Sequence, residues 1–198
     1  MGKLLKNKSD RRSWLKLIAS TAVFLTPATF IGLGRKIHAR GYFIRPPGAL
    51  PEEEFKKQCI GCFKCATACP NNCIEMASFE HGRENVHTPV VVPRSRGCIL
   101  CMRCTEVCPT GALQEIGREQ KVYEKEVKMG VAKLDQSLCF SYHGRTCGVC
   151  YRACPLPGKA MTISLLEQPT IHADKCVGCG LCEQACIHMP QAIRVVPV

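Results

Sequence analysis

Short runs of alternating apolar and polar residues recur along most of this chain. The clearest is MTISL at residues 161–165, in which the apolar Met, Ile and Leu alternate with Thr and Ser. This period of two predicts a β-strand. A second apolar run, PVVVP at residues 89–93, predicts another strand. The longer segment at residues 160–174, AMTISLLEQPTIHAD, predicts a β-hairpin.

Sixteen cysteines stand between these strands in four groups of four, here called quartets 1 to 4. The quartets are Cys59, Cys62, Cys65 and Cys69; Cys98, Cys101, Cys104 and Cys108; Cys139, Cys147, Cys150 and Cys154; and Cys176, Cys179, Cys182 and Cys186. Their first cysteines lie 39, 41 and 37 residues apart, which indicates an internal repeat. The three residues between the third and fourth cysteines, ATA, TEV, YRA and EQA, predict one short helical turn. Each repeat is therefore a cysteine loop, a short helix and a strand.

Three chemistries use closely spaced cysteines. A disulfide framework needs no constant spacing, and the total of 17 cysteines leaves one thiol unpaired. Structural zinc sites separate two ligand pairs by a long gap, whereas each quartet here is compact. The run C-x2-C-x2-C-x3-C, with Pro70, Pro109 and Pro155 after three of the fourth cysteines, is the bacterial ferredoxin signature for [4Fe–4S] clusters. The sequence therefore predicts four [4Fe–4S] clusters.

The signature also predicts which cysteines share a cluster, because the fourth cysteine of a quartet ligates the other cluster of a pair. Pairing adjacent quartets gives Cys59, Cys62, Cys65 and Cys108 for cluster 1; Cys98, Cys101, Cys104 and Cys69 for cluster 2; Cys139, Cys147, Cys150 and Cys186 for cluster 3; and Cys176, Cys179, Cys182 and Cys154 for cluster 4. The competing arrangement pairs quartet 1 with 4 and quartet 2 with 3, as in iron–sulfur subunits of molybdenum oxidoreductases. It stays open at this point.

The predicted fold class is α+β. It consists of two tandem, bacterial-type 2[4Fe–4S] ferredoxin-like modules, in which short helices and small antiparallel hairpins surround the clusters. The first module covers residues 46–116 and the second residues 134–198. The charged segment 117–133 is predicted to link them, and residues 1–45 form a separate N-terminal segment.

Two features depart from the repeat. Seven residues, FSYHGRT, separate Cys139 from Cys147. A solvated loop at 140–146 is the favoured interpretation, and a docking surface made by Tyr142, His143 and Arg145 is the alternative. Cys73 belongs to no quartet and is predicted to be a small buried or half-buried side chain rather than a seventeenth ligand.

The N-terminal segment carries paired arginines, Arg11 and Arg12, within DRRSWLKL, followed by an uncharged stretch at residues 17–34. This pattern resembles a twin-arginine export signal. That route exports folded proteins, which suits clusters inserted in the cytoplasm. The uncharged stretch is just long enough to span a bilayer, so an uncleaved anchor and cleavage near Ala39 both stay open.

Charge follows the same division. Of the formal net charge of +11, residues 1–45 contribute +9, from ten Lys or Arg and one Asp. Four clusters with sixteen thiolates would bring the remaining chain to about −6. This sign argues against nucleic-acid binding. The sequence also holds no nucleophile–base pair, phosphate loop or nucleotide fingerprint, so we expect electron transfer rather than catalysis.

Several segments together identify a family resemblance. RPPGALPEEEF at 45–55, KMGVAKLDQSLC at 128–139, CGVCYRACPL at 147–156 and HADKCVGCGLCEQAC at 172–186 are similar to the ferredoxin-type NapG/MauM family. The resemblance covers essentially the whole chain, including the leader. It implies an electron-transfer subunit on the periplasmic side of the cytoplasmic membrane, as a component of a quinol dehydrogenase complex. Its expected partners are a NapH-like polytopic membrane protein and a periplasmic reductase or cytochrome.

Two other functions stay open from the sequence. One is a maturation factor for a periplasmic redox enzyme, the role associated with methylamine-utilisation members of the family. The other is a soluble ferredoxin that needs no membrane contact.

Overall fold

The computed structural model describes residues 43–198, which contain six short helices and six short strands joined by turns and loops. The helices are α1 (Glu52–Gln58), α2 (Lys64–Thr67), α3 (Arg103–Glu106), α4 (Gln120–Glu126), α5 (Val149–Ala153) and α6 (Leu181–Ala185). The strands are β1 (Ile74–Met76), β2 (Pro89–Val91), β3 (Val131–Leu134), β4 (Met161–Ile163), β5 (Pro169–Ile171) and β6 (Ile193–Val196). The predicted export signal, with Arg11 and Arg12, lies outside the described residues.

The strands form three antiparallel pairs, β1–β2, β3–β6 and β4–β5. In the second module β4 and β5 form the hairpin between quartets 3 and 4, while β3 and β6 join the two ends of the module. In the first module β1 and β2 form the corresponding hairpin. A single bridge between Ala49 and Leu113 joins its ends. The small mixed architecture agrees with the predicted α+β class.

The strand predicted at residues 161–165 is shorter than its pattern. β4 ends at Ile163, and a 3₁₀ turn covers Leu165–Glu167. Leu166 and Glu167 both have left-handed backbone angles, with φ of 57° and 58°, which turns the chain back toward β5. Leu165 is 82% exposed. The prediction was therefore right about the hairpin and wrong about the length of its first strand.

Part of the charged segment 117–133 is regular structure. Helix α4 lies within it, and β3 begins at Val131. Val127 is fully buried, and the Met129 N–H donates to Val177 O at 3.1 Å. Charged side chains of α4 face outward, where Glu124 pairs with Lys159 at 2.8 Å. The segment thus contributes to the core as well as connecting the modules.

Residues of the two modules are in direct contact. The Cys98 N–H donates to Cys179 O at 2.7 Å, and the Gly97 N–H donates to Gln184 Oε1 at 2.8 Å. A Cβ atom at Gly97 would lie 2.7 Å from the backbone nitrogen of Leu181, so only glycine permits this approach. The contact places quartet 2 beside quartet 4.

Arg45 fastens the start of the first module to its hairpin. The guanidinium is buried, and it donates to both carboxylate oxygens of Glu52, at 2.9 and 2.6 Å. It also donates to Thr88 Oγ1 at 2.8 Å and to Pro89 O at 2.9 Å. Its carbon Cζ lies 4.7 Å from the ring centroid of Phe55. The hydrogen bond from Arg45 lowers the pKa of Glu52.

Replacing Arg45 by Ala is expected to destabilise the protein by about 2–4 kcal/mol, because Pro89 O and Thr88 lose a buried charged donor. The free energy of unfolding would be measured by urea titration of the anaerobic, iron-loaded protein. Arg118→Ala is the matched control. Arg118 also donates two hydrogen bonds to a glutamate, Glu106, but it lies on an exposed surface. It should unfold close to the parent, because exposed pairs contribute little. Equal losses in the two variants would contradict the role of Arg45.

Candidate metal centres

Each quartet places its third cysteine in a short helix that begins after a left-handed residue. The third cysteines are Cys65 in α2, Cys104 in α3, Cys150 in α5 and Cys182 in α6. The left-handed residues that precede these helices are Phe63, Met102, Gly148 and Gly180, with φ of 64°, 58°, 52° and 79°. The helical turns predicted between the third and fourth cysteines are therefore confirmed.

In the three regular quartets the residue before the second cysteine is left-handed as well. These residues are Gly61, Leu100 and Gly178. Left-handed residues on both sides of the second cysteine curl the loop so that its three cysteines face one cavity. Quartet 2 achieves this with two bulky residues, and a left-handed conformation costs a non-glycine residue about 1–2 kcal/mol. Both Leu100 and Met102 are buried, and their packing offsets that cost.

Four cavities open among these cysteines, with volumes of ≈ 350, ≈ 310, ≈ 360 and ≈ 370 Å³ for cavities 1 to 4, open space at their mouths included. Cavity 1 is lined by Cys59, Cys62, Cys65 and Cys108; cavity 2 by Cys69, Cys73, Cys98, Cys101 and Cys104; cavity 3 by Cys139, Cys147, Cys150 and Cys186; and cavity 4 by Cys154, Cys176, Cys179 and Cys182. The similar sizes match the repeated sequence.

Every cavity combines three cysteines of one quartet with the fourth cysteine of the neighbouring quartet. These groups contain the four sets that the spacing predicts for clusters 1 to 4, with Cys73 added in cavity 2. None of the four cavities joins quartet 1 with quartet 4, which is the grouping that the competing arrangement requires. Ligation of iron by the sixteen cysteines stays a prediction.

Backbone N–H groups point at several of the sulfurs. Leu100 N lies 3.4 Å from Cys98 Sγ, and Leu113 N lies 3.4 Å from Cys108 Sγ. In the second module Ala132 N lies 3.5 Å from Cys176 Sγ. Donors aimed at sulfur stabilise thiolates over thiols, and so favour the form that binds iron.

Burial has the opposite effect and raises the pKa of the cysteine thiols. It raises the pKa of Cys65 to about 11 and that of Cys179 to about 12. It also raises the pKa of Cys182 well above the ordinary value. Without a bound cation these thiols are neutral near pH 7, because burial disfavours the charged thiolate and neighbouring thiolates would repel each other. The donor set therefore fits a group that brings positive charge, as iron does.

The cysteines of one set surround a space rather than a point. Within residues 43–198, no three His, Cys, Asp or Glu side chains converge closely enough to hold a single metal ion. A cluster of iron and sulfide has the extent to reach thiolates on opposite walls of such a cavity. It would be held by the four cysteines of each predicted set.

Cys73 is buried, as predicted, and it lines cavity 2. Its Sγ lies 3.5 Å from the Sγ of Cys69. Interaction with Cys98 and burial both raise the pKa of the Cys73 thiol above its ordinary value. The sequence placed Cys73 in the core but did not place it beside a cluster.

The 140–146 loop covers one side of cavity 3. Its first residues, Phe140–His143, form a 3₁₀ turn, and Phe140 lines the cavity. The Tyr142 hydroxyl donates to Pro169 O at 3.3 Å, and His143 Nε2 donates to Ser137 O at 2.7 Å. Arg145 is exposed and lies 5.7 Å from the ring centroid of Phe140. Arg145 therefore contacts a residue that lines cavity 3, whereas Tyr142 and His143 are hydrogen-bonded elsewhere. A docking surface made by these three residues stays a prediction.

Among the helices of residues 43–198, none has the length and apolar character needed to cross a bilayer.

Comparison with known proteins adds family information to this geometry. Residues 58–112 match the 4Fe–4S dicluster domain family, and residues 136–161 and 169–188 each match a 4Fe–4S binding domain family. The ferredoxin-type protein NapG of Escherichia coli is 36% identical over 100% of this chain and 90% of its own length. The methylamine utilization ferredoxin-type protein MauM of Methylorubrum extorquens is 40% identical over 78% of this chain and 72% of its own length. These similarities support an iron–sulfur electron-transfer protein built from tandem ferredoxin-type domains.

Proposed function

We propose, since the chain belongs to the NapG/MauM family of ferredoxin-type proteins, that it passes electrons through four [4Fe–4S] clusters from a quinol-oxidising membrane partner to a periplasmic reductase. The observation that carries this proposal is the presence of four cavities, each lined by one complete interlocked set of four cysteines. The clusters would supply one-electron redox chemistry. The chain's own residues would hold the clusters close enough for electron transfer and shield them from water.

The contact between modules supports a particular order of transfer. Interlocked fourth cysteines bring cavity 1 next to cavity 2 and cavity 3 next to cavity 4. The hydrogen bond from Cys98 to Cys179 brings cavity 2 next to cavity 4. Electrons would therefore pass through clusters 1, 2, 4 and 3, which is not their order along the chain.

Exposure supports cavities 1 and 3 as the two ends of this path. At cavity 1 Cys62 is exposed, and Ile60 and Phe63 beside it are 68% and 45% exposed. At cavity 3 Ile187 is 61% exposed. Cys98 and Cys179, at the contact between modules, are buried. Apolar side chains beside exposed clusters suit docking of redox partners.

The proposed location is the periplasmic side of the cytoplasmic membrane, reached by twin-arginine export through Arg11 and Arg12. A NapH-like polytopic protein would deliver electrons to cluster 1, in the module that follows the N-terminal segment. Cluster 3, beneath the 140–146 loop, would deliver them to a periplasmic reductase or cytochrome. The chain itself would break no bonds and transfer no protons.

Anaerobically purified protein is expected to contain about sixteen iron and sixteen sulfide per chain, as four cubane clusters require.

A quinol analogue added to the purified chain should leave the clusters oxidised, whereas membranes that contain the partner should reduce all four. In the variant Cys101→Ser, which removes a ligand of cluster 2, membranes should reduce cluster 1 but not clusters 3 and 4.

Iron near eight per chain would contradict four clusters, and direct reduction of the purified chain by quinol at a catalytic rate would contradict a carrier that needs a membrane partner. Continued reduction of clusters 3 and 4 in Cys101→Ser would contradict the order of transfer. Cys147→Ser, at the far end of the path, is the matched control, because it should leave reduction of clusters 1, 2 and 4 intact.

One second candidate is a factor that assists maturation of a periplasmic redox enzyme. The resemblance to the methylamine-utilisation members of the family implies it, and a MauM protein is 40% identical over 78% of this chain. The two functions differ in timing. If clusters are destroyed after the partner enzyme has matured, electron transfer should stop for a carrier and continue for a maturation factor. A soluble ferredoxin would instead be recovered in a membrane-free periplasmic extract and would be active there.

A further inference from the structure

Cavity 2 differs from the other three cavities by one sulfur atom. Five cysteines line it, the four of the predicted set and Cys73. Cys73 is only 2% exposed, so its thiol is cut off from water and must interact within the protein. Its Sγ lies 3.5 Å from Cys69 Sγ, within hydrogen-bonding distance for two sulfur atoms.

The position of Cys73 has an equivalent in every repeat. Each fourth cysteine is followed by a turn, and the residue that ends the turn precedes a strand or bridge residue and lines the same cavity as that fourth cysteine. These residues are Cys73, Ala112, Ala160 and Ala192, in cavities 2, 1, 4 and 3. All four are buried. Alanine therefore satisfies the packing at this position in three repeats, and the sulfur of Cys73 is an addition at the fourth.

Hydrogen bonds hold the turn that ends at Cys73 in place. The Asn72 N–H donates to Cys69 O at 3.1 Å, and Asn72 is left-handed with φ of 48°. Asn71 Nδ2 donates to Gly97 O at 2.7 Å, which ties the turn to quartet 2. Cys73 itself leads directly into β1. The two sulfurs are thus held near each other by the backbone and not by a flexible side chain.

A cysteine thiolate bound to iron has no proton and can only accept a hydrogen bond. Cys69 would be such a thiolate, and the four ligands of cluster 2 leave no iron without a cysteine. Of the two neighbouring sulfurs, Cys73 is then the one that carries a proton.

We propose that Cys73 donates an S–H···S hydrogen bond to the Cys69 ligand of cluster 2 and thereby raises the reduction potential of that cluster. This inference rests on the proposed function, since it requires a cluster in cavity 2. Reduction adds negative charge to the cluster and its ligand sulfurs. A hydrogen bond to a ligand sulfur stabilises the reduced form more than the oxidised form. Clusters 1, 3 and 4 have alanine at this position and lack the effect.

Three variants test the role of Cys73. Cys73→Ala removes the donor and installs the residue that the other repeats use. Cys73→Ser matches Ala closely in size but keeps a hydroxyl donor. Ala112→Cys adds a thiol at the equivalent position of cavity 1. The four reduction steps would be followed by potentiometric titration with electron paramagnetic resonance, and the step of cluster 2 is the one lost in Cys101→Ser.

In Cys73→Ala the iron content should stay at the parental value, while the step of cluster 2 moves to lower potential and the other three stay in place. Cys73→Ser should show a smaller shift than Cys73→Ala. In Ala112→Cys the step of cluster 1 should move to higher potential.

An unchanged step of cluster 2 in Cys73→Ala would overturn the inference, as would equal shifts in the Ala and Ser variants. Loss of about four iron per chain in Cys73→Ala would overturn it too, because Cys73 would then be a ligand. If the parent protein itself holds no cluster in cavity 2, the proposed function and this inference fail together. Failure of the inference alone is seen when the parent holds all four clusters and only the shift is absent.

Discussion

Removing the iron with a chelator is expected to unfold residues 46–198 and not to leave a folded apo form. Their helices have four to seven residues and their strands three or four. Elements of this length are not stable by themselves in water. Small modules of this kind seldom bury enough apolar surface to fold without metals or disulfides.

The composition of the core shows what iron removal would take away. Of the twenty buried residues in the larger core cluster, six are cysteines that line cavities 1, 2 and 4. Without clusters these side chains would line three unfilled cavities, and the thiolates would regain protons or repel each other. Binding free energy of metals that exist only in the folded state is folding free energy. Most of the stability should therefore disappear with the iron.

The measurement follows visible absorption of the clusters and far-UV circular dichroism during anaerobic chelation. Both signals should fall together, and adding iron and sulfide under reducing conditions should restore both. The exposed variant Arg118→Ala should behave like the parent. A chelated protein that keeps its circular dichroism and unfolds cooperatively in urea would contradict a metal-dependent fold.

The sequence predicted the parts of the site that depend on local spacing. Three cysteines at intervals of three residues need a curled loop, and the fourth follows after one helical turn. These constraints act within about a dozen residues, so four copies at similar spacings made the helices and the hairpins recognisable. Left-handed angles at Leu100 and Met102 were not predictable, since nothing in these residue types favours them.

Contacts between residues that lie far apart in the chain could not be predicted from the sequence in this way. Arg45 meets Thr88 and Pro89, which lie more than forty residues away in the chain. A single arginine before two prolines does not reveal such partners. In the charged segment 117–133, Val127 is buried among residues of high charge, and composition alone favoured a linker. The equivalence of Cys73 with Ala160 and Ala192 was hidden because the turns after the fourth cysteines are longer in the second module.

The interlocking of the quartets leads to the second large prediction, which concerns iron content in paired variants. Replacing one ligand by alanine is expected to remove one cluster, or about four iron per chain. Two replacements among the ligands of the same cluster should therefore remove no more iron than one. For replacements in two different clusters, the iron losses of the single variants should add. The paired variants thus report which cysteines belong together without any assignment of spectra.

Cys154 is the informative residue, because it belongs to quartet 3 but lines cavity 4. The two assignments predict different iron losses when Cys154 is replaced together with a second cysteine. Cys176 lines cavity 4 together with Cys154, so the double variant Cys154→Ala/Cys176→Ala should still lose only about four iron per chain. Cys139 belongs to the same quartet as Cys154 but lines cavity 3, so the double variant Cys154→Ala/Cys139→Ala should lose about eight.

The matched control is Cys186→Ala, for which the two outcomes are reversed. Cys186 lines cavity 3 with Cys139, so that pair should lose about four iron, and the pair with Cys176 about eight. If each quartet held its own cluster, the results for Cys154 and Cys186 would be exchanged. If quartet 1 were interlocked with quartet 4, Cys154→Ala would add its loss to that of both Cys139→Ala and Cys176→Ala. The iron count of these four double variants therefore separates the three arrangements, because each arrangement assigns Cys154 to a different set of partners.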